Sequence, residues 1–217
     1  MSSREDILGR LRGSLGRSAE NAARGRAQIE ALLAAHARGP RSTLSGDLLA
    51  RFREKSQGLA STLDAVATLD EVPCAVARYL AALGLPRQAV CWAELAGLDW
   101  NASGIAIEAR PACGDDLIGI TGCFAAVAET GTLALCSGAA TPAATSLLPE
   151  THIAVLPASR VVADMEAVWQ LLRSERAGLP RAVNFVSGPS RTGDIEQTIV
   201  LGAHGPYRVH IVVVTSR

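Results

Sequence analysis

The run Val209-His210-Ile211-Val212-Val213-Val214, near the C-terminus, admits few folds. Its β-branched side chains favour extended backbone, and without polar alternation it presents apolar groups to both sides. A strand of that kind needs cover on both faces, the condition met inside a parallel sheet. Shorter apolar runs recur upstream, at Ala89–Trp92, Gly104–Glu108, Leu117–Ile120, Ala125–Ala128, Thr132–Cys136, His152–Leu156 and Ala182–Val186. Helical patterns separate several of them. Asp70 is placed to cap a helix carrying Val76, Tyr79, Leu80 and Leu83 on one side, closed by Gly84. Asp164 opens another through Val168, Trp169 and Leu172, closed by Gly178 and Pro180. Strands and helices in this order predict an α/β fold, with an open, mostly parallel sheet and helices on both faces. Sheets of this class bind ligands at the carboxyl ends of their strands.

Ahead of that pattern lie helices only. Ile7, Leu8, Leu11 and Leu15 have helical spacing, Ala19 to Ala37 reads as a second helix ended by Gly39-Pro40, and Asp47 caps a third through Leu48, Leu49 and Phe52. The predicted organisation of the 217 residues is a helical extension, 1–55, followed by an α/β domain, 56–217. Up to Lys55 the extension carries eleven basic and six acidic side chains, yet the whole chain has a net charge of +0. A basic arm of this size more often docks on an acidic neighbour or on its own domain than on nucleic acid, so no nucleic-acid partner is expected. No apolar run reaches the ~18 residues of a membrane span, and no signal-peptide segment follows Met1. The expected location is the cytoplasm. None of the five cysteines, Cys74, Cys91, Cys113, Cys123 and Cys136, forms a Cys-x-x-Cys pair, so neither a metal site nor an iron–sulfur cluster is expected in this chain. Lys55 is the only lysine, which excludes a phosphate-binding or Schiff-base lysine from the α/β domain and leaves arginine as its fixed cation.

Three polar constellations remain. In Ala128-Glu129-Thr130-Gly131-Thr132 a carboxylate stands between two strands, beside a glycine suited to a tight turn. Glu129 there is a candidate nucleophile, general base or anchor for a cation, or else a solvated turn residue. In Ser187-Gly188-Pro189-Ser190-Arg191-Thr192-Gly193-Asp194-Ile195-Glu196, small and hydroxyl residues surround an arginine, and Asp194 to Glu196 is predicted to open a helical turn. Free amides at a helix start, hydroxyls and a guanidinium would together bind a phosphate or carboxylate. The alternative is that Thr192 or Asp194 caps the turn while Arg191 pairs with Asp194 or Glu129. In Gly202-Ala203-His204-Gly205-Pro206, His204 is a candidate acid–base group or a hydrogen-bonded structural residue.

In this order, Ala128-Glu129-Thr130-Gly131-Thr132-Leu133, Ser146-Leu147-Leu148-Pro149 with His152-Ile153, the stretch Ser187 to Glu196, and Gly202 to Pro206 resemble the signature of the LUD-domain family. The resemblance runs from about Gly58 to Val214. One departure is Gly193, where the family pattern has alanine; no functional group is lost by it. The resemblance implies an open α/β sheet similar to the NagB/RpiA/CoA-transferase-like group. It also implies a role beside two iron–sulfur partner proteins in oxidising L-lactate to pyruvate, with the clusters on those partners and no cofactor in this chain. Glu129, His204 and Asp194 are then the candidate catalytic residues. Thr130, Gly131, Thr132, Ser187, Gly188, Ser190, Arg191 and Thr192 are the candidate binding residues for a small carboxylate or phosphate-bearing ligand. The alternative is an independent enzyme acting on an acyl-CoA or sugar phosphate, with Glu129 as nucleophile or base and the 187–192 loop holding the ligand.

Overall fold

The computed structural model of the chain describes residues 3–37, 39, 44–195 and 198–216, with backbone alone for 19, 20, 194, 195, 198 and 199. Two compact units divide it, Met1–Arg41 and Ser42–Arg217. In the first, α1 (Ser3–Ser14) precedes α2 (Ala19–Ala35). α2 starts on a capping box. The Ser18 hydroxyl accepts from the Asn21 amide at 3.2 Å, and the Ser18 amide donates to the Asn21 side-chain oxygen at 2.9 Å. His36 closes it in the left-handed region, at φ 45°.

The second unit begins with α3 (Leu48–Gly58), whose N-cap Asp47 accepts from the Leu49 and Ala50 amides. Grouped by sequence with the helical extension, α3 instead packs into the α/β unit. Its Phe52 is completely buried in a cluster with Ala128, Leu133, Leu156, Ile211 and Val213. Full burial of such a side chain is worth about 1.5–3 kcal/mol, ample to fix a short helix on a sheet.

Six strands follow in an all-parallel sheet: β1 (Thr62–Val66), β2 (Gln88–Cys91), β3 (Ala106–Glu108), β4 (Ile118–Thr121), β7 (Thr151–Pro157) and β12 (Arg208–Val214), in spatial order β1-β12-β7-β4-β2-β3. β12 sits between β1 and β7, and its residues alternate between two apolar environments. Val212 and Val214 face α4 (Val72–Ala82) through Val72, Ala75, Val76 and Leu80, while Val209, Ile211 and Val213 face α3. Asp70 does not cap α4; it lies in a 3-10 turn, Leu69–Glu71, directly ahead of it.

The remaining strands leave that sheet. β5 (Ala125–Val127), β6 (Thr132–Cys136), β8 (Val161–Val162) and β9 (Val183–Val186) form a second sheet of order β8-β5-β6-β9, in which β5–β6 and β6–β9 are antiparallel. The six-strand sheet is the open parallel sheet expected from sequence; the second, mixed sheet is an addition to that expectation. The link Ala128–Gly131 permits only a hairpin, since a parallel crossover needs a dozen or more residues. The inner side of the second sheet joins the α3 cluster through Ala126 and Leu133. Its outer side is covered by α6 (Met165–Glu175) through Val168 and Leu172. The short α5 (Ala144–Leu147) lies on β4, where Gly119 has no room for a side chain against the Thr145 carbonyl.

The stretch expected to open a helix is extended. β10 (Arg191–Ile195) pairs antiparallel with β11 (Thr198–Leu201), with a register irregularity between Thr192 and Ile195. The β-branched residues Thr192, Ile195, Thr198, Ile199 and Val200 outweigh the capping potential of Asp194. Glu196 lies outside the described residues. Among the described residues no helix is long and apolar enough to cross a membrane.

Candidate functional site

The motif residues gather around the C-terminal end of α3, at the amino-terminal edge of the parallel sheet. Gly131, in the β5–β6 hairpin, has φ 69° and donates its amide to the Val127 carbonyl at 2.9 Å. A side chain there would meet the Ser56 amide at 2.5 Å, so the hairpin abuts the last turn of α3. The Ser56 hydroxyl donates to the Phe52 and Gly131 carbonyls at 2.7 and 3.3 Å and ties the two together.

Because β6 pairs with β9, the residue that begins β6 stands beside the residue that follows β9. Thr132 and Ser187 share a hydrogen bond of 2.7 Å, and Thr130 shares another of 2.7 Å with Thr132. The result is a chain of three hydroxyls with buried Thr132 in the middle and exposed Thr130 and Ser187 at its ends. Such a chain passes polarity, or a proton, between its ends without a charged group. Glu129 is half-buried next to it, its amide held by the Ala163 carbonyl at 3.0 Å.

Gly188, at φ 79°, lies so close to the Leu59 carbonyl that a side chain would collide with it. Arg191 donates to that same carbonyl at 2.9 Å. A helix C-terminus carries partial negative charge, so this contact uses the guanidinium to neutralise the end of α3. The anion cradle expected at 187–192 therefore lacks a helix N-terminus, and one face of its arginine is already engaged. Ser190 belongs to the next loop: its amide donates to the Pro206 carbonyl and its carbonyl accepts from the Gly202 amide, both at 2.9 Å. Gly205 lies within contact of the Ser190 side chain, which brings the His204 loop alongside. His204 itself is exposed and makes no hydrogen bond among the described residues. Thr192 is half-buried on β10, opposite Val200. The Asp194 side chain lies outside the described set.

Thr130, Gly131, Thr132, Ser187, Gly188 and Arg191 are thus brought together around α3, and Ser190 with the His204 loop lies alongside. No described contact joins Glu129 to His204. The two buried histidines are elsewhere in the sheet. His152 shares a 2.8 Å hydrogen bond with Thr121. His210 shares one of 2.8 Å with Thr62 and stacks on Tyr79 at 3.9 Å. Burial lowers both rings to about 4, so both are neutral at pH 7. Among the described residues no group of three or more His, Cys, Asp or Glu side chains is arranged to hold a metal ion.

Sequence reasoning passed over the opposite edge. At the carboxyl ends of β2, β4 and β7 a cleft of about 590 Å³ is lined by Trp92, Glu94, Cys123, Phe124, Arg160 and Arg176, among others. The residues directly after each predicted strand would have been the signal, by the same carboxyl-end rule. The glycine- and hydroxyl-rich loops drew attention to the other edge.

Residues 64–214 match the LUD domain. Three relatives named "Lactate utilization protein C" are similar in part. The one from Halalkalibacterium halodurans is 43% identical over 103 residues, 46% of this chain and 45% of the relative. That from Exiguobacterium sp. is 44% identical over 100 residues, 45% and 44% of the two chains. That from Bacillus subtilis is 36% identical over 103 residues, 46% and 43% of the two chains. The matched segment spans less than half the length of these relatives. The crystal structure of a DUF162 family protein from Deinococcus radiodurans superimposes with a TM-score of 0.56 at 25% identity, covering 79% of this chain and 99% of that one.

Proposed function

The chain belongs to the LUD-domain family, and from that premise we propose that it is a cytoplasmic component of an L-lactate utilisation system. It acts with two iron–sulfur proteins in the oxidation of L-lactate to pyruvate, the clusters of those partners accepting the two electrons released. We further propose that its α/β unit is a variant of the NagB/RpiA/CoA-transferase-like fold. The observation that carries the functional reading is the LUD match across 64–214, joined by relatives whose names state lactate utilisation. In this reading the motif cluster faces the substrate or a partner. Arg191, the hydroxyls of Thr130, Thr132, Ser187, Ser190 and Thr192, and the backbone at Gly131 and Gly188 hold a small carboxylate or phosphate. Glu129, His204 and Asp194 assist proton transfer. The grouping of Thr130, Thr132, Ser187 and Arg191 around the end of α3 supports a common role.

The test is lactate-dependent reduction of an acceptor dye by the two iron–sulfur partners, with and without this chain. Reduction is expected to require the chain and to fall with Glu129→Gln while that variant still binds the partners. Equal rates without the chain would overturn the reading. Full activity of Glu129→Gln would remove Glu129 from it.

A further inference from the structure

The winding of the parallel sheet reverses at one place. After β2 the chain moves outward to the edge strand β3, and after β4 it moves the other way, to β7 and then β12. β2 and β4 are neighbours, paired through Val90 with Gly119 and Cys91 with Ile120. Their continuations therefore diverge and leave a crevice at their carboxyl ends, the position where open α/β sheets take ligands. The cleft of about 590 Å³ lies there, within the range of pockets that enclose a small organic ligand and much larger than a three-carbon acid requires.

Its walls are fixed and its charges are arranged asymmetrically. The Trp92 amide donates to the Ile120 carbonyl at 3.0 Å as the ladder ends, and its indole donates to the Pro142 carbonyl at 3.1 Å. On one side two guanidiniums lie over the Phe124 ring, Arg160 at 4.8 Å and Arg176 at 5.2 Å. Arg160 is fully committed. Its Nε donates to the Phe124 carbonyl at 2.7 Å, and its terminal nitrogens hold Glu175 in a bidentate pair at 2.8 Å. The Arg176 guanidinium lines the cleft and has no ion pair or side-chain hydrogen bond among the described residues. On the other side the Glu94 carboxylate lies directly over Gly122, where any side chain would displace it, and it too has no hydrogen-bond partner among the described residues. The residue is exposed as a whole, but burial of the carboxyl against Gly122 raises it above the ordinary range.

We propose that this cleft binds a hydroxyl-bearing organic anion of sugar-acid to nucleotide size, its carboxylate or phosphate on Arg176 and a hydroxyl donating to Glu94. A guanidinium suits either anion, and a carboxylate acceptor selects a ligand that carries a donor. The absence of a side chain at Gly122 gives the Glu94 carboxylate its place in the wall of the cleft. The proposal is independent of the lactate reading and concerns the opposite edge of the sheet.

The experiment is calorimetric titration of the full chain with D-gluconate, with adenosine 5′-monophosphate and with 2′,3′-dideoxyadenosine 5′-monophosphate. Trp92 fluorescence provides a second readout. Binding of gluconate or of the nucleotide is expected, and which of them binds distinguishes the carboxylate from the phosphate form. Arg176→Ala should weaken binding at least about tenfold, with Arg176→Lys intermediate, both at unchanged melting temperature. Should the nucleotide bind, removal of its ribose hydroxyls should weaken binding to the wild type but not to Glu94→Ala. No binding of gluconate or of the nucleotide at 10-millimolar order would overturn the proposal, as would binding indifferent to Arg176→Ala.

Discussion

Acidification should unfold the α/β unit through two histidines. His152 and His210 are buried on β7 and β12, and burial lowers each from an ordinary 6.5 to about 4. Their folded-state values lie below the unfolded one, so the unfolded chain binds more protons between about pH 4 and 6.5. Stability is then complete above pH 6.5 and is lost as pH falls through that window. At pH 5 each histidine costs about 2 kcal/mol relative to pH 7.5, so the pair removes about 4 kcal/mol, a large part of a typical domain's stability. The carboxylates that arginine partners hold low against the opposing effect of burial, Asp64, Asp116 and Glu175, have unfolded values of 3.8, 3.8 and 4.5 and lose little of their contribution above pH 5. Glu94, raised by burial, has the opposite sign and offsets a part. The assay is urea unfolding at pH 7.5, 6 and 5, followed by the fluorescence of Trp92, Trp100 and Trp169, which all belong to the α/β unit. The expected slope between pH 6 and 5 approaches two protons taken up on unfolding. His152→Gln, which retains a partner for Thr121, should bring it toward one. A stability independent of pH from 7.5 to 5, or a slope unchanged in both His152→Gln and His210→Gln, would refute the reasoning.

Other outcomes follow from the same packing. Deleting residues 1–41 should leave the cooperative unfolding of the α/β unit intact by circular dichroism, whereas Phe52→Ala should destabilise it by about 3–5 kcal/mol through an unfilled cavity. Gly188→Ala combines a φ of 79° with a collision at the Leu59 carbonyl, and should lower the urea midpoint by an amount equivalent to about 2 kcal/mol or more. A thiol reagent at pH 8 should label Cys74 and Cys113 quickly, both being exposed. Buried Cys91 and Cys136 should react only after unfolding, and half-buried Cys123, whose thiol burial pushes up to about 12, should react more slowly than Cys74 and Cys113; peptide mass mapping would read the order.

Much of the architecture was legible from residue type and spacing alone. Val209–Val214 reads as a strand apolar on both sides, and β12 lies between β1 and β7 with cover on both faces. Asp164 reads as a cap, and its carboxylate accepts the Ala167 amide at 2.8 Å. These are local properties, since backbone preference and the period of apolar side chains act within a few residues. The ordered motifs from Ala128 to Pro206 were also sufficient to identify the LUD domain.

Partnership was not legible in the same way. Which strands leave the main sheet depends on what Ala128–Gly131 can span, and whether Asp194 caps a helix or lies in a strand depends on the pairing of Thr192 with Val200. Phe52 belongs to the α/β unit because an apolar surface on the sheet was left for it to cover, a fact about residues at least seventy positions away. Arg191 reads from sequence as an anion-binding cation or as a partner of Asp194 or Glu129, and neither reading named the carbonyl that the end of α3 supplies to it. The sequence determined the strands, most helices and the family, because propensity and motif are short-range. Only the tertiary structure decided sheet membership, the partner of Arg191 and the edge at which the large cleft opens, because each depends on contacts between segments far apart in the chain.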